Sequence, residues 1–273
     1  MAKKALNEMS FLDHLEELRW LLVRSSAAIV IMGIVSYFFA DYIFSDLIFG
    51  PTDPSFITYR FFCEASHYLG FADSICITEL NFIIQNTQME GQVNIFVWVC
   101  ITAGFILAFP YILWELWKFI SPALYEKEKK NAKLFIFVAS ILFFLGVLFG
   151  YYVIVPMSVN FLATFSISSV VKNQFSIDSY VSMVKTAVIA CGLYFELPII
   201  IYFLTKLGLV GPNFLRKYRK YAVVIILIIA AIVTPPDVVS QITVAVPMMI
   251  IYEGCIWISA VVEKNKKKDE QTS

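Results

Sequence analysis

Histidine is almost missing from these 273 residues: only His14 and His67 occur. Neither falls in a long apolar run, so a membrane-embedded serine–histidine pair or a histidine-ligated metal has no residue to use. The chain also lacks G-x-x-x-x-G-K-[ST], H-E-x-x-H and G-x-S-x-G. Those absences remove the phosphate-cradling loop, the helical zinc site and the nucleophile elbow. Energy from ATP, if used, must come from another chain, and the residues imply no cofactor and no metal. Charge is scarce as well: 15% of residues are Asp, Glu, Lys or Arg and the net charge is zero, where soluble domains carry about 25% charged residues. No nucleic-acid partner is expected.

What fills the chain instead is apolar. Hydrophobic residues make up 59% and aromatics 16%, with a mean hydropathy of +0.76. The solvent for most of its surface is therefore the lipid bilayer. Backbone groups in lipid must bond internally, which leaves helices or a closed barrel. The apolar runs are continuous and many approach the ~20 residues of a spanning helix, so the expected class is an all-α integral membrane protein. Six spans are read, at about 20–40, 92–119, 132–155, 177–207, 221–233 and 238–262. Residues 1–19 form a cytoplasmic amphipathic segment, 20–262 the membrane domain, and 263–273 a basic, polar tail. Pro110 breaks the second span, Pro156 ends the third, and Pro247 interrupts the sixth. A polar stretch precedes the first apolar run, unlike a cleavable signal peptide. The fifth span is stubby: its thirteen residues reach about 20 Å at ~1.5 Å each, against a ~30 Å hydrocarbon core.

Basic residues orient the spans. All but Arg60, Lys172 and Lys185 of the 21 lysines and arginines fall on one side, which the positive-inside rule makes cytoplasmic, with both termini. The one large outer loop, 41–91, is acidic and holds Cys63 and Cys76. Disulfides persist in such a compartment; a bridge and two free thiols are both open readings.

Three polar clusters interrupt the apolar pattern. In "SFLDHLEELRWLLVR", Ser10 and Asp13 resemble a capping box, and Leu12, Leu15, Leu18 and Leu22 recur at helical spacing. That predicts an interfacial helix whose polar face carries Glu16, Glu17 and Arg19. In "KFISPALYEKEKK", Pro122 interrupts the helix, and Glu126 and Glu128 then open the next. Carboxylates there favour a helix dipole; they also offer a fork to arginine. The third is Glu196, inside "CGLYFELPIIIYFL". A charge at a helix centre costs roughly 2.5–3.5 kcal/mol. Lys185 is eleven residues away, about 16 Å along the helix and too far to pair. Pro198 leaves the Tyr194 carbonyl without a donor, so a bend with a carboxyl at it is expected. Either the carboxyl is protonated and bonded to a neighbouring helix, or it awaits a polar group from elsewhere.

Together these stretches resemble the TatC family, the multi-spanning core of the twin-arginine protein translocase. "HLEELR", "FPYILWELWKFISPALYEKEK", "FELP" and "TPPDVVSQITVAVPMMIIYE" occur in the family's order, over nearly the whole chain. The resemblance implies a receptor for signal peptides bearing paired arginines, exporting folded proteins across the cell inner (cytoplasmic) membrane on the proton-motive force. It implies a curved, concave wall of six helices with two short final ones, TatA- and TatB-like single-span partners, and self-association in a receptor complex. By the family's motifs, the signal contacts match Glu17, Arg19, Phe119 and Glu128, with Glu126 adding to the field. Glu196 matches the intramembrane glutamate that meets partner helices, and Pro51 and Asp237 match loop positions. Leu21 stands where a second arginine is common, Glu115 where a glutamine is, and Lys129 where an arginine is.

A rival class is a small-solute or ion transporter with Glu196 as a proton relay. It requires a second buried ionisable group in line, for which Glu115 and Glu253 are the candidates. Neither reading is an enzyme.

Overall fold

The computed structural model describes residues 11–68, 76, 80, 82–121, 132–168, 173–234 and 238–272. Helix α1 spans Phe11–Phe38. After a turn of π-helix at Ile43–Ile48 and a 3-10 turn at Gly50–Thr52 comes α2, Ile57–Tyr68. Helix α3 is Gly91–Ile120 and α4 is Ala132–Phe149, which passes through a π-turn at Gly150–Ile154 into α5, Val155–Thr164. The fourth apolar run holds two helices, α6 at Ile177–Tyr194 and α7 at Leu197–Lys206. Then follow α8, Pro212–Lys217, α9, Arg219–Val233, and α10, Val238–Thr272. One small sheet exists among the described residues: β1, Ile83–Gln85, pairs in parallel with β2, Gln174–Ser176, setting Ile84 opposite Phe175.

Among the described residues, five stretches are long and apolar enough to cross a membrane: His14–Phe38, Gly91–Ile120, Lys133–Thr164, Ile177–Lys206 and Ser240–Lys266. Only 17–33% of each is buried within the protein. Side chains such as Val30, Ile31 and Phe38 stand exposed, as expected where lipid is the solvent. The fifth expected span, α9, is 15 residues long, roughly 22 Å at ~1.5 Å per residue, and falls short of a full crossing.

Several sequence expectations are corrected. The expected amphipathic segment and the first span run together as one unbroken helix, Phe11–Phe38, because no glycine or proline falls between Phe11 and Met32. Pro110 and Pro247 lie inside continuous helices; in apolar surroundings, neighbours and local adjustments re-satisfy the carbonyls a proline frees. Helix continues past Pro156 to Thr164. There the proline sits in the first turn of α5, where its missing N–H is unneeded, and the π-turn before it absorbs the register change. The final helix is long rather than short, at 35 residues, since the lysine-rich tail contains no breaker before Thr272.

The described residues fall into two compact units, one drawn from Met1–Phe44 and Val93–Ile141, the other from Ser45–Gln92 and Leu142–Ser273. Within the first, α1 and α3 meet at glycines. A Cβ on Gly104 would lie 2.6 Å from both the Gly33 nitrogen and the Ile29 oxygen, so the absence of a side chain sets how closely the helices approach. Tyr37 packs edge-on to Phe96, and Phe44 stacks on it.

In the second unit Gly146 plays the same part, its missing Cβ leaving room for the Cys191 carbonyl. One end of this unit is tied by tyrosines. The Tyr59 hydroxyl lies 2.8 Å from the Pro51 carbonyl and 3.1 Å from that of Pro156, and Tyr180 donates to the Ile48 carbonyl at 2.6 Å. Burial pushes the Tyr59 phenol above its usual range, because phenolate would lose its hydration. At the other end Tyr252 donates to the Leu215 carbonyl, Arg219 pairs with Glu253 at 2.6 Å, and Thr205 donates to Ser259. Cys63 and Cys76 are joined as a disulfide.

Gly104→Ala should force the two backbones apart and destabilise the protein by about 1–3 kcal/mol. Gly254, with nothing within 4 Å of an added Cβ, should accept alanine with no loss and a gain of up to about 1 kcal/mol. Thermal unfolding of the two variants in detergent checks both; equal transitions would contradict the close approach.

Candidate functional site

Helical spacing assembles the first site. On α1, Glu16 and Glu17, then Trp20 and Leu21, then Arg24 recur every three to four residues and share a face. On α3, Glu115, Lys118 and Phe119 do the same. These eight residues line a cleft of about 460 Å³ near the start of α1 and the end of α3. Glu115 is its floor: the carboxylate is buried, receiving the Arg24 guanidinium at 3.2 Å on one oxygen and the Lys118 ammonium at 2.7 Å on the other. Lys118 stands in the last turn of α3, where the helix dipole also favours a cation. Aromatic faces flank both cations, Trp20 at 6.0 Å from Arg24 and Trp114 at 5.6 Å from Lys118. Phe119 closes one side, stacked on His14 with centroids 4.4 Å apart.

Two of the sequence-predicted residues, Glu17 and Phe119, therefore meet in one cleft. Arg19 does not line it; its guanidinium lies 6.0 Å from the centroid of the Trp20 ring. Glu126 and Glu128 lie outside the described residues, as does Asp237. Glu16 and Glu115 were missed as cleft residues. In the sequence Glu115 stands out as a departure from a common glutamine and as a relay candidate of the rival reading, and the departure is the available signal.

The second feature is the break in the fourth apolar run. Phe195 and Glu196 form a turn between α6 and α7, with the Glu196 N–H donating to the Leu193 carbonyl. Pro198 falls in the first turn of α7. The expected bend at the proline is thus a two-residue turn just ahead of it, in which Phe195 and Glu196 keep right-handed helical angles and the proline costs little. Glu196 caps α7 by its backbone alone: its side chain makes no cap bond. The residue is 6% exposed, and its Oε1 has no hydrogen-bond partner among the described residues. The protonated, helix-bonded alternative therefore lacks its acceptor at that atom. Glu115 and Glu253, the relay candidates, are both held in ion pairs.

Pro51 is buried and supplies the carbonyl that Tyr59 grips. That is a packing role: the proline fixes the 3-10 turn ahead of α2.

Comparison with known proteins gives consistent matches over most of the chain. The family described as Sec-independent protein translocase protein (TatC) matches residues 13–247. The Sec-independent protein translocase protein TatC of Blattabacterium sp. subsp. Periplaneta americana (strain BPLAN) is 44% identical over 269 residues, covering 97% of this chain and 100% of that protein. TatCy of Bacillus subtilis (strain 168) is 34% identical over 268 residues, 98% of this chain and 95% of its own. A crystal structure of the twin arginine translocase receptor TatC superposes with a TM-score of 0.71 at 31% identity, covering 91% of this chain and 99% of the other.

A buried carboxyl oxygen without a partner costs about 1–3 kcal/mol. Glu196→Leu should therefore raise the thermal stability of the isolated protein in detergent by about that amount. An unchanged or lowered transition would mean the carboxyl is already satisfied within the chain.

Proposed function

This chain belongs to the TatC family of Sec-independent protein translocase proteins, and from that membership we propose how it works: as the twin-arginine signal-peptide receptor and scaffold of a translocase that exports folded proteins. The observation that carries this reading is the carboxylate-lined cleft at the ends of α1 and α3. Three carboxylates, Glu16, Glu17 and Glu115, face it against two cations, leaving an excess of negative charge for an incoming basic peptide.

In this reading the two guanidiniums of the signal dock against Glu17 and against Glu128, with Glu126 strengthening the field. The last two come from the segment that follows α3. Phe119 offers a face for the apolar side of an arginine. Arginine should outperform lysine because only its planar fork engages a carboxylate through two parallel bonds. Each charge-assisted bond contributes about 1.5–3 kcal/mol.

Glu196 has a different task. A carboxyl buried at a helix break, with one oxygen unbonded among the described residues, suits a polar group near the end of another membrane helix. TatA- and TatB-like single-span proteins are the partners proposed for it, with further copies of this chain in the receptor complex. In this reading the protein sits in the cell inner membrane with both termini in the cytoplasm, the side on which the positive-inside rule puts the basic flanks. Transport draws on the proton-motive force, and no step calls for the chain to act as an enzyme. The transporter reading is not favoured, because its required relay groups are paired salt bridges.

Photocrosslinkers at positions 17, 128 and 196 test the scheme in membranes containing the partner proteins. A twin-arginine precursor should crosslink from 17 and 128, and the same precursor with two lysines should lose about tenfold or more in yield, equivalent to at least ~1.4 kcal/mol. Glu196→Ala should keep the signal crosslinks and lose those to a partner helix. Equal crosslinking of the lysine precursor would overturn the reading.

A further inference from the structure

The cleft already contains what a guest would displace. Glu115 is held from two sides by side chains of unequal kind. Its own side chain is 4% exposed, while Arg24 and Lys118 are 53% and 49% exposed. The carboxylate is thus the fixed floor, and the cations reach down to it from the open side.

A buried carboxylate needs compensating charge or hydrogen-bond donors, and here each oxygen of Glu115 faces a cation. Arg24 arrives from α1 and links the two helices. Lys118 stands three residues away on the same helix and contributes a single point charge to Oε1. It also has somewhere else to go, since the Trp114 face is already 5.6 Å from its ammonium. A half-exposed lysine pair of this kind is worth only ~0–1 kcal/mol. A guanidinium is more weakly hydrated than an ammonium and holds its donors fixed in a plane, whereas the ammonium is a point charge with three rotatable donors. Exchanging one for the other at Oε1 therefore favours an incoming arginine and does little for an incoming lysine.

We propose that Lys118 is a resident placeholder and Glu115 a specificity-determining residue: an arginine of the signal peptide displaces the Lys118 ammonium from Glu115 Oε1, and Lys118 competes with it in the empty receptor. This rests on the receptor reading above and adds to it a reader at the cleft floor and a built-in competitor. The exchange keeps the Glu115 carboxylate compensated throughout, so the cleft need not open to accept the guest. It also filters guests, because a peptide lysine would replace an ammonium with an ammonium and gain nothing.

The test measures binding of a fluorescent synthetic twin-arginine signal peptide, and of its twin-lysine counterpart, to the full chain in lipid nanodiscs. Lys118→Gln should tighten the arginine peptide about threefold to fivefold, the change that removal of a competitor worth up to ~1 kcal/mol represents. Lys118→Arg, a stronger competitor of the same charge, should weaken it. Glu115→Gln, nearly identical in shape, should lower the arginine peptide's affinity about tenfold and the lysine peptide's far less, so the preference for arginine shrinks. In the double variant Glu115→Gln/Lys118→Gln the tightening should vanish. A merely structural role for Glu115 would weaken both peptides alike, and that result overturns the inference. So does unchanged or weakened arginine-peptide binding in a Lys118→Gln protein whose thermal transition matches the parent. If instead the parent chain holds both peptides equally, the receptor reading itself fails, and this inference with it.

Discussion

A carboxylate lifted out of water needs a compensating charge, a proton or hydrogen-bond donors, and this requirement is met in two opposite ways here. Glu115 meets it inside the chain, with a guanidinium on one oxygen and an ammonium on the other. Glu196 does not meet it fully among the described residues, where it lies buried at a helix break with one oxygen unbonded. On the proposed reading, the first acid is self-sufficient until a better cation arrives, and the second waits for a polar group of another membrane helix. A receptor that must bind a basic peptide at one place and a membrane helix at another has use for one acid of each sort.

The helices are built to hold those acids still. Tight contacts at Gly33 and Gly104 set how closely α1 approaches α3, and it is that approach which lets Arg24 reach Glu115 from a different helix. Dispersion and small-residue packing must do this in lipid, because burying leucine against leucine there gains no hydrophobic free energy. Around Glu196 the supports are polar and local. Tyr194 donates to the Met248 carbonyl, and Thr205 bonds Ser259, so the helices before and after the break are each tied to α10. The carboxyl at the turn is then the group left over.

Much of this was legible in the sequence, and the exceptions have physical causes. The apolar runs around Gly91–Ile120 and Ile177–Lys206 declared themselves by length and composition, and the four motifs carried the family. The prolines misled. Pro110, Pro156 and Pro247 were read as breaks by rules that hold in water, whereas an apolar helix can absorb them through a π-turn or a neighbouring donor. The pairing of Ile83–Gln85 with Gln174–Ser176 could not be foreseen, since two three-residue strands far apart in sequence leave no periodicity. Glu115 was hardest. A lone glutamate near a helix end looks like an ordinary interfacial charge, and only the approach of Arg24, 91 residues earlier in the chain, makes it the floor of a cleft.

The central claim is that positive charge, held in a planar group, is what the cleft reads. Titration of the purified protein with a signal peptide whose two arginines are replaced by citrulline tests it most directly, because citrulline keeps the planar shape and size while a carbonyl oxygen replaces the charged amino group. Affinity should fall by at least about tenfold, some 1.4 kcal/mol, relative to the arginine peptide. Equal affinity for the two peptides would contradict the account.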